Sequence, residues 1–255
     1  MNVNWIGLGT FVLKEINRMF RVVLQTLISP WISAVLYILI FGKVIGSRID
    51  LIAGVKYIDF VLPGILMMNI ISSSFTQVSS SLYFQRFARH IEEILVAPFS
   101  YLEMIVAYVV GGVVRGLIVG LGVYIIAIFF TEASIEHFWI FLFYAFSVSM
   151  VFSLLGLLVG LWADGFEQLN VLNIFVILPL SFLGGVFNSI YMLPEGAQTF
   201  ARLNPFFYFI DGLRYSMVGI SEANTIIGLF IIFISIAGLG ALGWYLFKIG
   251  YKIRS

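Results

Sequence analysis

Gln85-Arg86-Phe87-Ala88-Arg89-His90-Ile91-Glu92-Glu93-Ile94-Leu95-Val96-Ala97-Pro98 is a compact charged stretch set between two long apolar runs, residues 58–82 and 104–130. Each run exceeds the roughly 20 residues of helix that cross a hydrocarbon core of ~30 Å. Within the stretch, Phe84, Phe87, Ile91 and Leu95 fall on one stripe and Arg86, Arg89, His90 and Glu93 on another. Pro98 then ends the helix. The pattern predicts an amphipathic helix over 85–98, lying flat on the inner face with its charged side toward a soluble partner. A solvated helix that merely connects two spans fits the composition equally well.

The solvent follows from the bulk composition. Hydrophobic residues make up 61% of the 255 and charged ones 11%, against roughly 25% charged in a soluble domain. Six runs are long enough to span: approximately residues 22–45, 58–82, 104–130, 138–162, 169–187 and 226–247. The expected fold is therefore an all-α polytopic membrane protein with six transmembrane helices. A net charge of +1 supplies no field for nucleic acid. The absence of Cys removes thiolate chemistry.

Lys and Arg beside span ends are retained on the cytoplasmic side. An N-in, C-in arrangement places eight of them inside (Lys14, Arg18, Arg21, Arg86, Arg89, Lys248, Lys252, Arg254) and five outside (Lys43, Arg48, Lys56, Arg202, Arg214). Lys14, Glu15, Arg18 and Arg21 interrupt the first apolar stretch, so no cleavable signal peptide is expected. Before the first span, Trp5, Leu8, Val12, Ile16 and Met19 recur at helical steps, with Lys14, Asn17, Arg18 and Arg21 on another face. This predicts an interfacial helix over 1–21; a frayed extension of the first span is the other reading. Residues 188–222 are apolar but broken by Pro194 and Leu203-Asn204-Pro205, and carry Glu195, Arg202, Asp211 and Arg214. Short helices dipping part-way into the outer leaflet are expected there. A seventh span would put the basic C-terminus outside.

Catalysis needs convergent polar groups, and the pattern offers none. His90 and His137 fall on opposite predicted sides, and there is no Gly-Lys-Ser/Thr phosphate loop, zincin helix or nucleophile elbow. A non-catalytic chain is expected, binding no cofactor or metal. Ion-driven carriers place carboxylates inside their spans, whereas Glu103, Asp164 and Glu167 sit near predicted inner ends. Arg115 lies near the bilayer centre, where a charge costs about 2.5 to 3.5 kcal/mol. It needs a partner: Glu103, Asp164 or Glu167, a snorkelling route to the inner surface, or an anionic substrate group. Gly112, Gly116 and Gly120, with Gly156 and Gly160, let helices approach closely, within one subunit or across a dimer. The second span carries Ser72, Ser73, Ser74, Thr76, Gln77, Ser79, Ser80 and Ser81, and the fifth Asn170 and Asn173. These are interhelical glue or the wall of a polar path, for which Ser73, Gln77, Ser80, Arg115, Asn170 and Asn173 are the candidates.

Leu62-Pro63-Gly64-Ile65-Leu66-Met67-Met68-Asn69, Arg89 to Pro98, Gly111-Gly112-Val113-Val114-Arg115-Gly116-Leu117, Pro179-Leu180-Ser181-Phe182-Leu183-Gly184-Gly185-Val186-Phe187, and Leu203-Asn204-Pro205 with Gly212-Leu213-Arg214-Tyr215 resemble, in this order and over almost the whole chain, the ABC-2 type transporter permeases, especially the YadH-like inner-membrane branch. The resemblance implies a single transmembrane domain over 1–255 and a multi-pass location in the bacterial inner membrane. It further implies an exporter of two permease copies and two ATPase subunits, with ATP and Mg held by the partner. Residues 85–98 would be the coupling helix, with Arg86, Phe87, Arg89, Ile91, Glu92 and Glu93 at the ATPase contact. The substrate expected is amphipathic, lipid-linked or drug-like. A stand-alone secondary carrier or channel is the alternative.

Overall fold

The computed structural model describes residues 4–49, 51–131 and 134–253; Arg254, counted above among the inner basic residues, lies outside them. Among the described residues, six helices are long and apolar enough to cross a membrane: Leu24–Gly42, Tyr57–Phe87, Tyr101–Ile128, Phe138–Trp162, Phe166–Leu183 and Thr225–Ile249. All six expected spans are present. The second is the mast of the bundle: 89% of its most apolar window is buried, against 17% for the fifth and sixth spans. The third and fourth spans pack around it. Gly116 faces the Ser74 and Ser149 hydroxyls, and a Cβ on Gly156 would lie 2.5 Å from the Phe75 carbonyl oxygen. The glycine stripes are thus spent on packing within one subunit.

The first and fifth spans are not regular α-helices. Residues Leu24–Ile28 and Asn173–Ile177 form wider π turns, each followed two residues later by a proline, Pro30 and Pro179. Proline lacks the N–H for the carbonyl four residues back and its ring collides with that carbonyl. Widening the preceding turn accommodates both.

One end of the bundle gathers the N-terminal helix Trp5–Arg21, the end of the second span and the last turn of the chain. The Asn4 amide donates to the Glu103 carboxylate at 2.7 Å. Glu103 also accepts from the Ser100 amide, in a capping box that starts the third span. Lys252 pairs with Asp164 at 2.6 Å. The face that the N-terminal helix buries differs from the expected stripe: Phe11, Glu15 and Met19 are buried, while Trp5 is 74% exposed. The helix docks on the bundle through a buried acid, which an apolar-stripe reading assigns to water.

At the opposite end, a hairpin pairs Leu51 with Lys56 and Ile52 with Val55 around Ala53-Gly54, both at positive φ. Between the fifth and sixth spans stand a 3-10 turn at Ile190–Met192, helix Glu195–Leu203 and helix Pro205–Val218. Arg214, expected in an outer loop, is fully buried. It donates to the Phe60 carbonyl at 3.1 Å and to that of Gly185, lies 3.9 Å over the Phe60 ring and pairs with Asp211. Asp211 accepts from the Glu222 and Ala223 amides and from Ser221. Glu222 holds Ser189 and the Ile190 amide in turn. His137 stacks on Tyr215 here, 5.1 Å between centroids.

Candidate functional site: a charged elbow and a mid-membrane cavity

Residues 85–98 do not form one helix. The second span continues through Phe87, Arg89 turns the chain in the left-handed region (φ 57°), and a separate short helix occupies Ile91–Val96. The result is an elbow. Of the expected stripe, Ile91 is buried and Leu95 packs partly against the core, with Ile94 buried beside them, whereas Phe84 and Phe87 are exposed, Phe87 by 65%. The span overruns its sequence boundary because the polar groups of its last turns find partners inside the bundle. Gln85 accepts from the Tyr108 hydroxyl at 2.6 Å and donates to Glu15. Arg86 donates through Nη1 to the Gly160, Leu161 and Ala163 carbonyls and through Nε to that of Lys252.

That engagement separates the six elbow candidates. Arg86 ties down the carbonyl end of the fourth span, groups that a helix terminus leaves without partners. Ile91 anchors the short helix. Phe87, Arg89, Glu92 and Glu93 are exposed and form its outer surface, where Phe87 stacks on Tyr83 and meets Phe166 edge-on.

Glu15, passed over in the sequence reading, is the hub beneath the elbow. Its carboxylate accepts from Ser81 at 2.6 Å and Gln85 at 2.9 Å, and its carbonyl accepts from Gln77. Burial raises its pKa, opposed by the Ser81 hydrogen bond and the Arg18 charge. Burial lowers that of Arg18, opposed by Glu15. A charged residue at the middle position of the buried i, i+4, i+8 row Phe11, Glu15 and Met19 was the available signal.

Midway through the membrane, a cavity of about 260 Å³ lies between the first, second, third and fifth spans. Of the path candidates, Ser73, Arg115 and Asn173 line it. Gln77 stands behind Arg115, accepting from its Nη1 at 3.2 Å. Ser80 bonds back to the Gln77 carbonyl, and Asn170 is exposed near the start of the fifth span; neither lines the cavity. Arg115 therefore pairs with none of the three acids expected: Glu103 is committed to its capping box and Asp164 to Lys252, while Glu167 is exposed in the first turn of the fifth span. Gln25, Ser29 and Ser33 also line the cavity. They are exposed at i, i+4 and i+8 on an otherwise apolar span, a polar row poorly suited to lipid. Both spans that interrupt their α-helix with a π turn contribute to this cavity.

Among the described residues no three His, Cys, Asp or Glu come close enough to hold a metal. The cavity presents hydroxyl and amide groups and one guanidinium. The family model for the ABC-2 type transporter matches residues 7–218. The chain is 39% identical to the inner membrane transport permease YadH of Escherichia coli K12 over the full length of both. It is 24% identical to nodulation protein J of Rhizobium meliloti, covering 85% of this chain and 82% of that one.

Proposed function

The chain belongs to the ABC-2 type transporter family, and from that premise we propose that it is the membrane subunit of an ATP-driven exporter, working as a pair of identical copies. It is a transport permease and a multi-pass protein of the bacterial inner membrane. The end bearing the N-terminal helix, the elbow and the last turn faces the cytoplasm, which gives the N-in, C-in arrangement. The helices between the fifth and sixth spans face outward and dip into the outer leaflet. The observation that carries the reading is the elbow: Phe87, Arg89, Glu92 and Glu93 stand outward while Ile91, Ile94 and Arg86 fasten their backbone to the second and fourth spans. A nucleotide-driven movement of a docked ATPase subunit would reach those spans without passing through a flexible linker.

The polar row Gln25, Ser29 and Ser33 supports a path at the shared face of two copies, because a second copy or water would solvate it and lipid would not. The substrate on this reading is an amphipathic molecule taken from the cytoplasm or inner leaflet. The test is purification of the tagged chain from its native membrane in mild detergent. A nucleotide-binding subunit at equal stoichiometry, with ATPase activity uncoupled from transport by joint Glu92→Lys and Glu93→Lys exchange, is the expected result. A homo-oligomer that transports in liposomes without ATP would overturn it.

A further inference from the structure

Arg115 is the fifteenth of 28 residues in the third span, at mid-depth of the bilayer, and only 7% exposed. A guanidinium carries five N–H donors. This one makes a single hydrogen bond, to Gln77, and its buried Nε has no partner. Among the described residues no carboxylate forms an ion pair with Arg115: Glu15, the acid nearest along that face of the third span, is taken by Ser81 and Gln85. In the described spans the acids lie in the first turn of their helices, as Asp59, Glu103 and Glu167, and none of them lines the cavity that Arg115 borders. An insertion cost of about 2.5 to 3.5 kcal/mol for a central Arg is thus met by one neutral amide oxygen.

The side chains that line the cavity beside the charge are donor-rich and uncharged. Ser29, Ser33, Ser73 and Asn173 present hydroxyl and amide groups to the same space. An oxyanion accepts hydrogen bonds from all of these and from guanidinium, with the charged pair the stronger. A cationic ligand would meet uncompensated like charge. Size sets a second limit, since drug-sized ligands occupy roughly 300 to 1,000 Å³ and this cavity holds about 260 Å³. It takes a head group and leaves the remainder of a larger molecule outside. The remainder is specified by what flanks the mouth: the first span exposes Ile32 and Leu36, and the fifth exposes Ile174 and Phe175.

We propose that this cavity binds the oxyanion head group of an amphiphile, with Arg115 as its charge partner and the apolar tails lying along the exposed sides of the first and fifth spans. The inference rests on the transport reading above for the cavity's place in the path, but its test needs neither ATP nor a second subunit. Failure of one therefore leaves the other standing.

The test uses the full chain purified in non-ionic detergent and phosphate-free buffer. Its melting temperature is titrated with dioleoyl phosphatidic acid, with dioleoylglycerol, which has the same tails and no phosphate, and with inorganic phosphate. Phosphatidic acid is expected to raise the melting temperature saturably, and dioleoylglycerol to leave it unchanged. Arg115→Gln should raise the half-saturating concentration by about ten- to a hundredfold, the range for a hydrogen bond to a charged group, and Arg115→Lys by less. Equal titrations of wild type and Arg115→Gln, or an equal response to dioleoylglycerol, would overturn the site. Inorganic phosphate acting at the same concentration as phosphatidic acid would overturn the amphiphile and leave a free-anion site. If Arg115→Gln does not fold, Ser33→Phe at the exposed rim blocks the mouth, and an undiminished response there would equally overturn the proposal.

Discussion

Replacing Gly156 by Ala tests whether contact between the second and fourth spans holds the bundle together. The added Cβ would lie 2.5 Å from the Phe75 carbonyl oxygen and 3.3 Å from that residue's carbonyl carbon and Cα. All three are backbone atoms of a buried helix, so no side-chain rotation relieves the overlap and the two helices must separate. Overpacking of this kind costs typically 1–3 kcal/mol. Alanine is also the better helix former by about 0.8–1.0 kcal/mol, which offsets part of that cost. Gly238→Ala in the sixth span supplies the correction, because a Cβ there meets nothing within 4 Å and carries the propensity gain alone. The difference between the two variants isolates the clash. At about 2–4 °C per kcal/mol for a chain of this size, Gly156→Ala should melt about 2–12 °C below Gly238→Ala in detergent, followed by intrinsic fluorescence. Equal melting temperatures would refute the claim that this contact is backbone-tight.

Arg86→Ala leaves three carbonyls at the end of the fourth span and one of the last turn without their donor, a loss of about 2 kcal/mol or more; melting within 1 °C of wild type would contradict the clamp. Glu15→Gln removes a carboxyl whose native pKa is raised by burial above the ordinary glutamate value of about 4.5. The native state then binds protons more tightly than the unfolded chain. The Glu15 contribution is present below about 4.5 and is lost as pH rises through the raised value, so wild type should lose stability relative to Glu15→Gln as pH rises above about 4.5. Parallel pH profiles would exclude it. Arg214→Met at the end opposite the elbow should cost about 3–5 kcal/mol by leaving buried Asp211 without its cation, read as loss of monodisperse protein, whereas a normal elution profile would contradict it. Asp164→Asn breaks a pair with both partners partly exposed and should cost under about 1 kcal/mol; a larger drop in melting would give that pair a structural weight the geometry does not.

The spans were legible because hydropathy alone decides which 20-residue stretches enter lipid, and their starts fall within three residues of those read from the sequence. The end of the second span was not legible. Gln85 and Arg86 look like water-facing residues until Tyr108, Glu15 and the carbonyls of the fourth span are placed beside them, and those partners are distant in sequence. The same cause hid Glu15. Arg115 was singled out by its depth, and Gln77 as a path candidate, but their pairing was not, since a charge-burial argument looks for a carboxylate and the bond found is to a neutral amide. The row Gln25, Ser29 and Ser33 went unread in the sequence, although its spacing of four interrupts the first span periodically. Its meaning needed the fold to show that it borders a cavity.

The second span has 31 residues, so it is about 46 Å long at 1.5 Å per residue, while the hydrocarbon it crosses is ~30 Å thick. Roughly three turns of it stand clear of the oily layer. Ser73, at the wall of the cavity, is its seventeenth residue and sits at the midpoint. Were the span to tilt as one body about that level, it would work as a balance beam: each degree would move either tip by ~0.4 Å, in opposite senses on the two sides. The elbow hangs from one tip and Tyr57, bonded to the Phe187 carbonyl, sits at the other. Thrust delivered on one surface of the bilayer would therefore return as a counter-stroke on the far surface, with the cavity at the fulcrum.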